Sequence, residues 1–574
     1  MSATRARWQA ALALSVSAAA TPCGAASSDI LMIHGHIYTA THQDPWAEAI
    51  AITGTRIDAV GPDQAVMSHR GKNTRVIDLK GHTVIPGIVD SHVHTLYGSY
   101  ALHGFNLSTP ASSITPDKPE ALVAAVKAYA AAHPADAVLF GRADFSTVPP
   151  TTPTHELLDR AVADRPIVVH NTSEHAVWLN RAAITLAGLT DEPVADADEE
   201  RGVIRDASGH PSGVLLEAAM AIAARTLNAR VPVEEQLAML RAGTTYLNRY
   251  GITSVVNATG DLAEIRMYAT LRDRGQLTVR TRTAFGAVAV RQRLTPQLLA
   301  DLEQARNLYH DAWVSANLVK FFADGSTGLV PPLVYTPREY QSLVMELDQR
   351  GFQIMTHAIR SDSVHMVLDT YERLEQAHGI RDRRLRIEHA DGLNDVDVPR
   401  FAALSVVADM QPNFCCGEEG TTIDPTSPSP PDRWKTLSNA GTTLAFSSDW
   451  PCTWPPDPFV GIQQAATRQS WRSADTAGVA GQPLDGGGQG GATLTGGFDT
   501  PSERVSIEQA VNAYTRGGAY AAFADAQVGT LEPGKEADLV VVSQDLFRVA
   551  PETVGQTRAL MTMVGGRVVY GTPP

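Results

Sequence analysis

The sequence predicts an α/β fold in which a long middle section of alternating strands and helices is bracketed by short strands from both ends. Three observations predict it. Strand-like apolar runs and helical runs alternate from Pro119 onwards. Short strands and tight turns fill both Ile30–Leu79 and Gly529–Tyr570. Several middle strands end in a chelating or polar residue, which is where barrel enzymes keep their chemistry.

The elements are taken in chain order. Arg5 and Arg7, the apolar Trp8–Ala20 and the small residues through Ala26 have the layout of a secretory signal peptide over 1–26, so the expected location is periplasmic or secreted. Cys23 offers a lipid-anchored alternative, which Pro22 fits poorly. The apolar stretch is too short to span as a stable helix and no later stretch qualifies, so no stable membrane anchor is expected. Ile30–Ile33, Ile37–Thr39, Ala49–Ile52 and Arg56–Val60 then read as strands with hairpin-like spacing. They are matched at the far end by the Gly529–Val542 turn and strand and the Met561–Tyr570 hairpin. The two ends are expected to pair into one β-sandwich.

In the middle, Pro119–His133 and Leu157–Val162 read as helices. Strands are expected at Ala137–Phe140, Pro166–His170, Thr253–Asn257, Leu318–Phe322, Phe352–His357, Leu385–His389, Val406–Met410 and Thr443–Ser448. Gly417–Arg433 is expected to be a loop over the site, and Ala477–Pro501 a disordered insertion. Gly486, Gly488 and Gly491 fit GxGxxG, but no strand leads in and no helix comes after, so a nucleotide reading is rejected.

At 574 residues the chain exceeds one ordinary domain, and 44% hydrophobic and 19% charged residues are the composition of a soluble globular protein. A net charge of -15 argues against nucleic acid and against anionic membrane surfaces. Beyond Cys23 only Cys415, Cys416 and Cys452 remain, with no CxxC spacing, so any metal must be held by nitrogen and oxygen.

The chemistry concentrates around Thr83–Thr95. Period two places His92 and His94 on one face at the end of an apolar strand, as a divalent metal at a barrel mouth requires. His34-Gly35-His36 repeats the spacing, so spacing alone decides little. Lys320, His357, His389 and Asp449 fall at equivalent strand ends. Each has a second reading: structural histidines, a snorkelling lysine, a turn or cap aspartate.

Together these residues amount to a resemblance. Ile85–His94, Gly202–Gly213, Val319–Ser326, Ile387–Ala390, Ser447–Pro451 and Gly529–Val541 resemble motifs of the metal-dependent amidohydrolase superfamily, in the branch of the N-substituted formamide deformylases and YtcJ-like proteins. The resemblance covers nearly everything after the leader. It implies a distorted (β/α)8 TIM barrel over 87–525, with insertions, flanked by a composite sandwich from 27–86 and 526–574. It implies two Zn2+ ions, one held by His92, His94 and Asp449 and one by His357 and His389, bridged by an N6-carboxylated Lys320. His34 and His36 then fall in the sandwich.

The implied reaction is attack of metal-bound hydroxide on a carbon–nitrogen bond other than a peptide bond, in a small linear amide or N-acyl substrate, with Asp449 as proton shuttle. The alternatives are hydrolysis of esters, lactones or organophosphates at the same site, or a ligand-binding relative without turnover. A homodimer is an open option for the assembly. His175, Trp178, Asp324 and Trp450 are the candidate substrate contacts, with Trp454 beside them. A helix-face histidine, a turn aspartate and core tryptophans are the competing readings. Two places depart from the family pattern. Ile359-Arg360-Ser361 stands where Ile-Gly-Asp is usual, and Asn413 stands where relatives often carry His.

Overall fold

The computed structural model describes residues 27–108, 118–147, 151–286, 294–325, 333–414, 432–469 and 500–574. The expected leader over 1–26 lies outside these residues, as do the expected loop and the expected insertion, except for Asp432, Arg433, Thr500 and Pro501.

Eight strands form one parallel sheet: β1 (Ile88–Val93), β2 (Ile252–Gly260), β3 (Arg280–Phe285), β4 (Val314–Phe322), β5 (Gln353–Ala358), β6 (Arg386–His389), β7 (Val407–Met410) and β8 (Leu444–Phe446), in that spatial order. The sheet curls until its ends meet. Ser448 N donates to Asp90 Oδ1 at 2.9 Å, and Asp449 N donates to the His92 carbonyl at 2.8 Å. Val256, Ala258, Ala284, Leu318, Met355 and Ala522 fill the interior, and helices pack outside, as in a (β/α)8 barrel. The strand β3 has no counterpart among the strands expected from sequence. Its Arg-Thr-Arg-Thr start lacks the apolar run that marks the others.

Between β1 and β2 the chain builds an insert with a separate six-stranded mixed sheet. Leu139–Ala143 and Ile167–Asn171 lie there, so the expected strands at Ala137–Phe140 and Pro166–His170 belong to the insert and not to the barrel. An apolar run reads the same in either buried sheet, and only long-range pairing separates them. The insert has its own core around Leu122, Leu139, Ile167 and Trp178.

Both chain ends meet in the sandwich. Leu539–Val542 runs antiparallel to Thr83–Pro86, with Val540 opposite Ile85, inside a six-stranded sheet. A four-stranded sheet of Ser28–Ile33, Ala49–Thr53, Arg56–Gly61 and Arg70–Asp78 faces it. Met32, Ile50, Ile77, Val84, Leu539 and Met563 are among the apolar side chains buried between them. His36 stacks on Trp46 with ring centroids 4.0 Å apart and pairs with Asp545, and His34 pairs with Asp78. Arg280 reaches from the start of β3 to Asp538 at 2.7 Å and Glu536 at 2.9 Å, fastening the barrel floor to the sandwich. No helix among the described residues is long and apolar enough to cross a membrane.

Candidate metal centre

The carboxyl ends of β1, β4, β5, β6 and β8 converge on one buried polar site. At the end of β1, His92 Nε2 lies 3.5 Å and His94 Nε2 3.2 Å from the same oxygen, Asp449 Oδ1. Lys320 Nζ, from β4, lies 3.1 Å from His92 Nε2. The His389 ring is 5.1 Å from His92, and the His357 ring is 4.6 Å from His389. Donor atoms of His92, His389 and Asp449 all fall within 4.8 Å of one another.

Backbone strain and hydrogen bonding set this geometry. Asp449 and His389 hold left-handed conformations, φ 55° and 70°, which turn each side chain at the end of its strand. His94 N donates to the Trp450 carbonyl at 2.7 Å while Asp449 N bonds back to His92, so β1 and the segment after β8 lock each other. Behind the rings runs a buried network. His92 Nδ1 meets Glu388 Oε2 at 2.6 Å, and Arg386 bridges Glu388 and Asp409 with two contacts at 2.8 Å. Ser447 Oγ donates to Asp409 at 2.6 Å, Gln411 Nε2 donates to Ser447, and Gln411 Oε1 faces His389 Nδ1 at 2.6 Å. An amide oxygen accepts only, so the proton of His389 sits on Nδ1 and leaves the Nε2 lone pair to the site. The carboxylate of Glu388 does the same for His92.

The electrostatics are set by burial. His92 and His357 are held well below the ordinary imidazole value by burial and then by Lys320, and His389 by burial and then by His357. Burial also lowers Lys320 to about 8. Burial alone would raise Asp449, but the close approach of His94 and the charges around it bring the carboxyl below its usual value. Two buried atoms, Asp449 Oδ1 and His357 Nε2, meet no geometrically sound hydrogen-bond partner, only contacts of 3.2 Å to His94 Nε2 and 3.3 Å to Asp324 Oδ1. Buried polar atoms ordinarily find partners, and unprotonated imidazole nitrogens beside a free carboxylate oxygen are the donor set of a divalent ion such as zinc. The residues fit a metal.

The remaining candidates separate. His175 comes to the site: its ring lies 5.8 Å from His357 and 6.2 Å from Phe322. Its Nδ1 pairs with Glu217 at 3.0 Å, and Glu217 overrides the opposing effect of burial to raise the imidazole pKa. Trp178 does not come to the site. Strand alternation turns it away from His175, fully buried in the insert core against Phe145. Trp450 is also fully buried, packed against Tyr246 and Trp454, and a Cβ on Gly98 would fall 2.3 Å from its ring. Both tryptophans are packed in buried apolar surroundings.

Asp324 approaches His357 Nε2 at 3.3 Å, but its oxygens are taken by Ile359 N, Arg360 N at 2.8 Å and Ser363 Oγ. It anchors the turn after β5. Burial raises it to about 7. Asn413 is likewise structural, bonding the Asp457 carbonyl and Tyr514.

Sequence reasoning misses Glu388, Arg386, Asp409, Gln411 and Glu217. Charged residues inside the apolar runs Leu385–His389 and Val406–Met410 are the available signal, because a buried charge requires a partner.

Protein LONG AFTER FAR-RED 3 of Arabidopsis thaliana is 28% identical over 96% of this chain and 93% of its own length. The N-substituted formamide deformylase of Arthrobacter pascens is 23% identical over 94% of this chain and 98% of its own. The crystal structure of an uncharacterized metal-dependent hydrolase from Pyrococcus horikoshii shares the fold, with TM-score 0.68 and 21% identity over 91% of this chain and 99% of that one. The profile of the amidohydrolase family matches residues 75–570, and the chain belongs to that family of hydrolases.

Proposed function

We propose that this protein hydrolyses a carbon–nitrogen bond other than a peptide bond, in a small linear amide or N-acyl compound, using Zn2+. The observation that carries the reading is the convergence of His92 Nε2, His94 Nε2 and Lys320 Nζ with Asp449 Oδ1, which is buried and meets no geometrically sound hydrogen-bond partner. His92, His94 and Asp449 would hold one ion and His357 and His389 a second, with a carboxylated Lys320 between them. Bound zinc supplies Lewis acidity, which lowers the pKa of water towards about 7 and polarises a carbonyl.

The protein's own groups supply the rest. Asp449, held ionised, can take a proton from the attacking water and return it to the leaving nitrogen, which must be protonated before it departs. A carboxylate between two imidazole rings at a strand end is oriented for both transfers. His175, whose imidazole pKa Glu217 raises, can donate to the substrate carbonyl oxygen as charge develops there. The relative from Arthrobacter pascens is named for N-substituted formamides, so that class is the first to try.

The test is metal analysis of the purified protein, the mass of the peptide carrying Lys320, and turnover of N-benzylformamide, N-benzylacetamide and 4-nitrophenyl acetate. About two zinc ions per chain, a carbon dioxide adduct on Lys320 and amine release from an amide are expected. Absence of metal, with no activity on adding zinc, overturns the reading. Turnover of the ester alone moves it to the ester class.

A further inference from the structure

The segment carrying Asp449 is held from two sides. The barrel holds Asp449 and Trp450 through the main chain of His92 and His94. The insert holds Pro451 and Cys452. Arg142, on the insert strand Leu139–Ala143, donates from Nη2 to the Pro451 carbonyl at 3.0 Å and to the Cys452 carbonyl at 3.3 Å. Cys452 N in turn donates to the Asp449 carbonyl at 2.7 Å, closing a tight turn. Two carbonyls of that turn therefore rest on one guanidinium.

Arg142 is an unusual residue to find there. It is only 3% exposed, and neither acceptor it uses carries a formal charge. Its guanidinium carbon lies 5.9 Å from the Trp454 ring. Among the described residues, Glu174 is the leading acid compensating its charge. Glu174 sits in a left-handed turn, φ 58°, with one oxygen on His170 at 3.0 Å and the other, buried, without a hydrogen bond. Burying a charge this way is unfavourable, and a neutral donor could serve two carbonyls. The arrangement makes sense if the Asp449 turn must be held rigidly against the insert.

We propose that Arg142 is a positioning residue for Asp449, through which the insert, and not the barrel alone, fixes where that carboxylate lies. The inference rests on the hydrolytic reading of Asp449. It assigns Arg142 no contact with substrate.

Arg142→Met removes both hydrogen bonds, and Arg142→Lys keeps a charge without the fork. Amide hydrogen exchange of full-length, zinc-loaded protein reads the turn directly and needs no substrate. Exchange in the peptide spanning Asp449–Trp454 is expected to rise about tenfold or more in Arg142→Met and less in Arg142→Lys, with β4 and β5 unchanged. With 4-nitroformanilide as the probe, kcat is expected to fall about 10–100-fold while KM stays within about twofold, and added guanidinium should restore part of the loss in Arg142→Ala.

Unchanged exchange at Asp449–Trp454 overturns the proposal. So does a rise spread equally over the insert and barrel, or an unaltered kcat in an active enzyme. If the wild type is inert towards every amide while Arg142→Met still loosens the turn, the hydrolytic reading fails and the positioning of Asp449 stands.

Discussion

Lys320 Nζ lies 3.1 Å from His92 Nε2, with both side chains buried, so the lysine faces the one lone pair that His92 has left after Glu388 takes its Nδ1. An ammonium there would compete with a metal ion. A carbamate would remove the competing charge and supply oxygen donors. Burial has already brought the amine to about 8, so its neutral, reactive form is accessible near neutral pH. Zinc uptake by metal-free protein should therefore accelerate with added bicarbonate, and Lys320→Met should lose at least one ion, as read by emission spectroscopy of the dialysed protein. Full zinc content in Lys320→Met would show that the lysine bridges nothing.

Glu388→Gln keeps the shape behind His92 but replaces a carboxylate acceptor with an amide. Zinc affinity is expected to drop about 10–100-fold with little change in secondary structure, because the ring loses the partner that fixes its orientation. Competition with a fluorescent chelator measures it. Arg386→Met should be harsher, costing about 3–5 kcal/mol in denaturant unfolding, since it strands Glu388 and Asp409 together in the interior.

His175 and Trp178 are three residues apart and face opposite ways, so their variants should separate by type of effect. His175→Gln is expected to reduce kcat/KM about 100-fold with a melting temperature close to wild type. Trp178→Ala should lower stability by about 3–5 kcal/mol. Kinetics and thermal unfolding of the two proteins check the pair.

Asp324→Ala removes the acceptor for two main-chain amides and a serine hydroxyl at once. A loss of about 2–4 kcal/mol in unfolding is expected, with faster hydrogen exchange confined to the turn after β5. A variant as stable as wild type would mean that the turn holds itself.

Stability should also carry a pH signature from Glu264. Burial, reinforced by Asp261, raises this carboxyl to about 8, where it accepts from Tyr268 at 3.0 Å beneath the end of β2. A folded value above the unfolded one means that its contribution is fully present below about pH 4.5 and is lost as pH rises through about 8. Glu264→Gln should therefore gain stability relative to wild type as pH climbs from about 5 to about 9. Denaturant titrations across that range would refute the assignment if the two proteins stayed parallel.

The legible parts of this fold are those where local pattern and final environment coincide. Seven barrel strands announce themselves as apolar runs, and the polar residues at the ends of several of them mark the mouth. Where two environments share a pattern, the sequence misleads. The insert strands around Leu139 and Ile167 look like barrel strands, because burial on both faces has one appearance whichever sheet supplies it. Trp178 and Trp450 cannot be told from pocket walls, since a large aromatic in a core and one lining a cleft have the same local context. The strand β3 is hidden for the opposite reason. Its Arg280 and Arg282 stand where sequence patterning expects apolar side chains. The Glu388–Arg386–Asp409 network is within reach of the sequence, because charges in buried runs imply one another.

The pairing of Thr83–Pro86 with Leu539–Val542 has a consequence in time. A ribosome adding roughly 5–20 residues per second delivers the second strand on the order of half a minute or more after the first. Through that interval the early strands have an unfinished sheet edge and only half of the opposing layer, with Leu539, Met561 and Met563 still missing from their core. The first part of the molecule to be made is thus among the last that can become native, and the whole chain must emerge before either end has a place to settle.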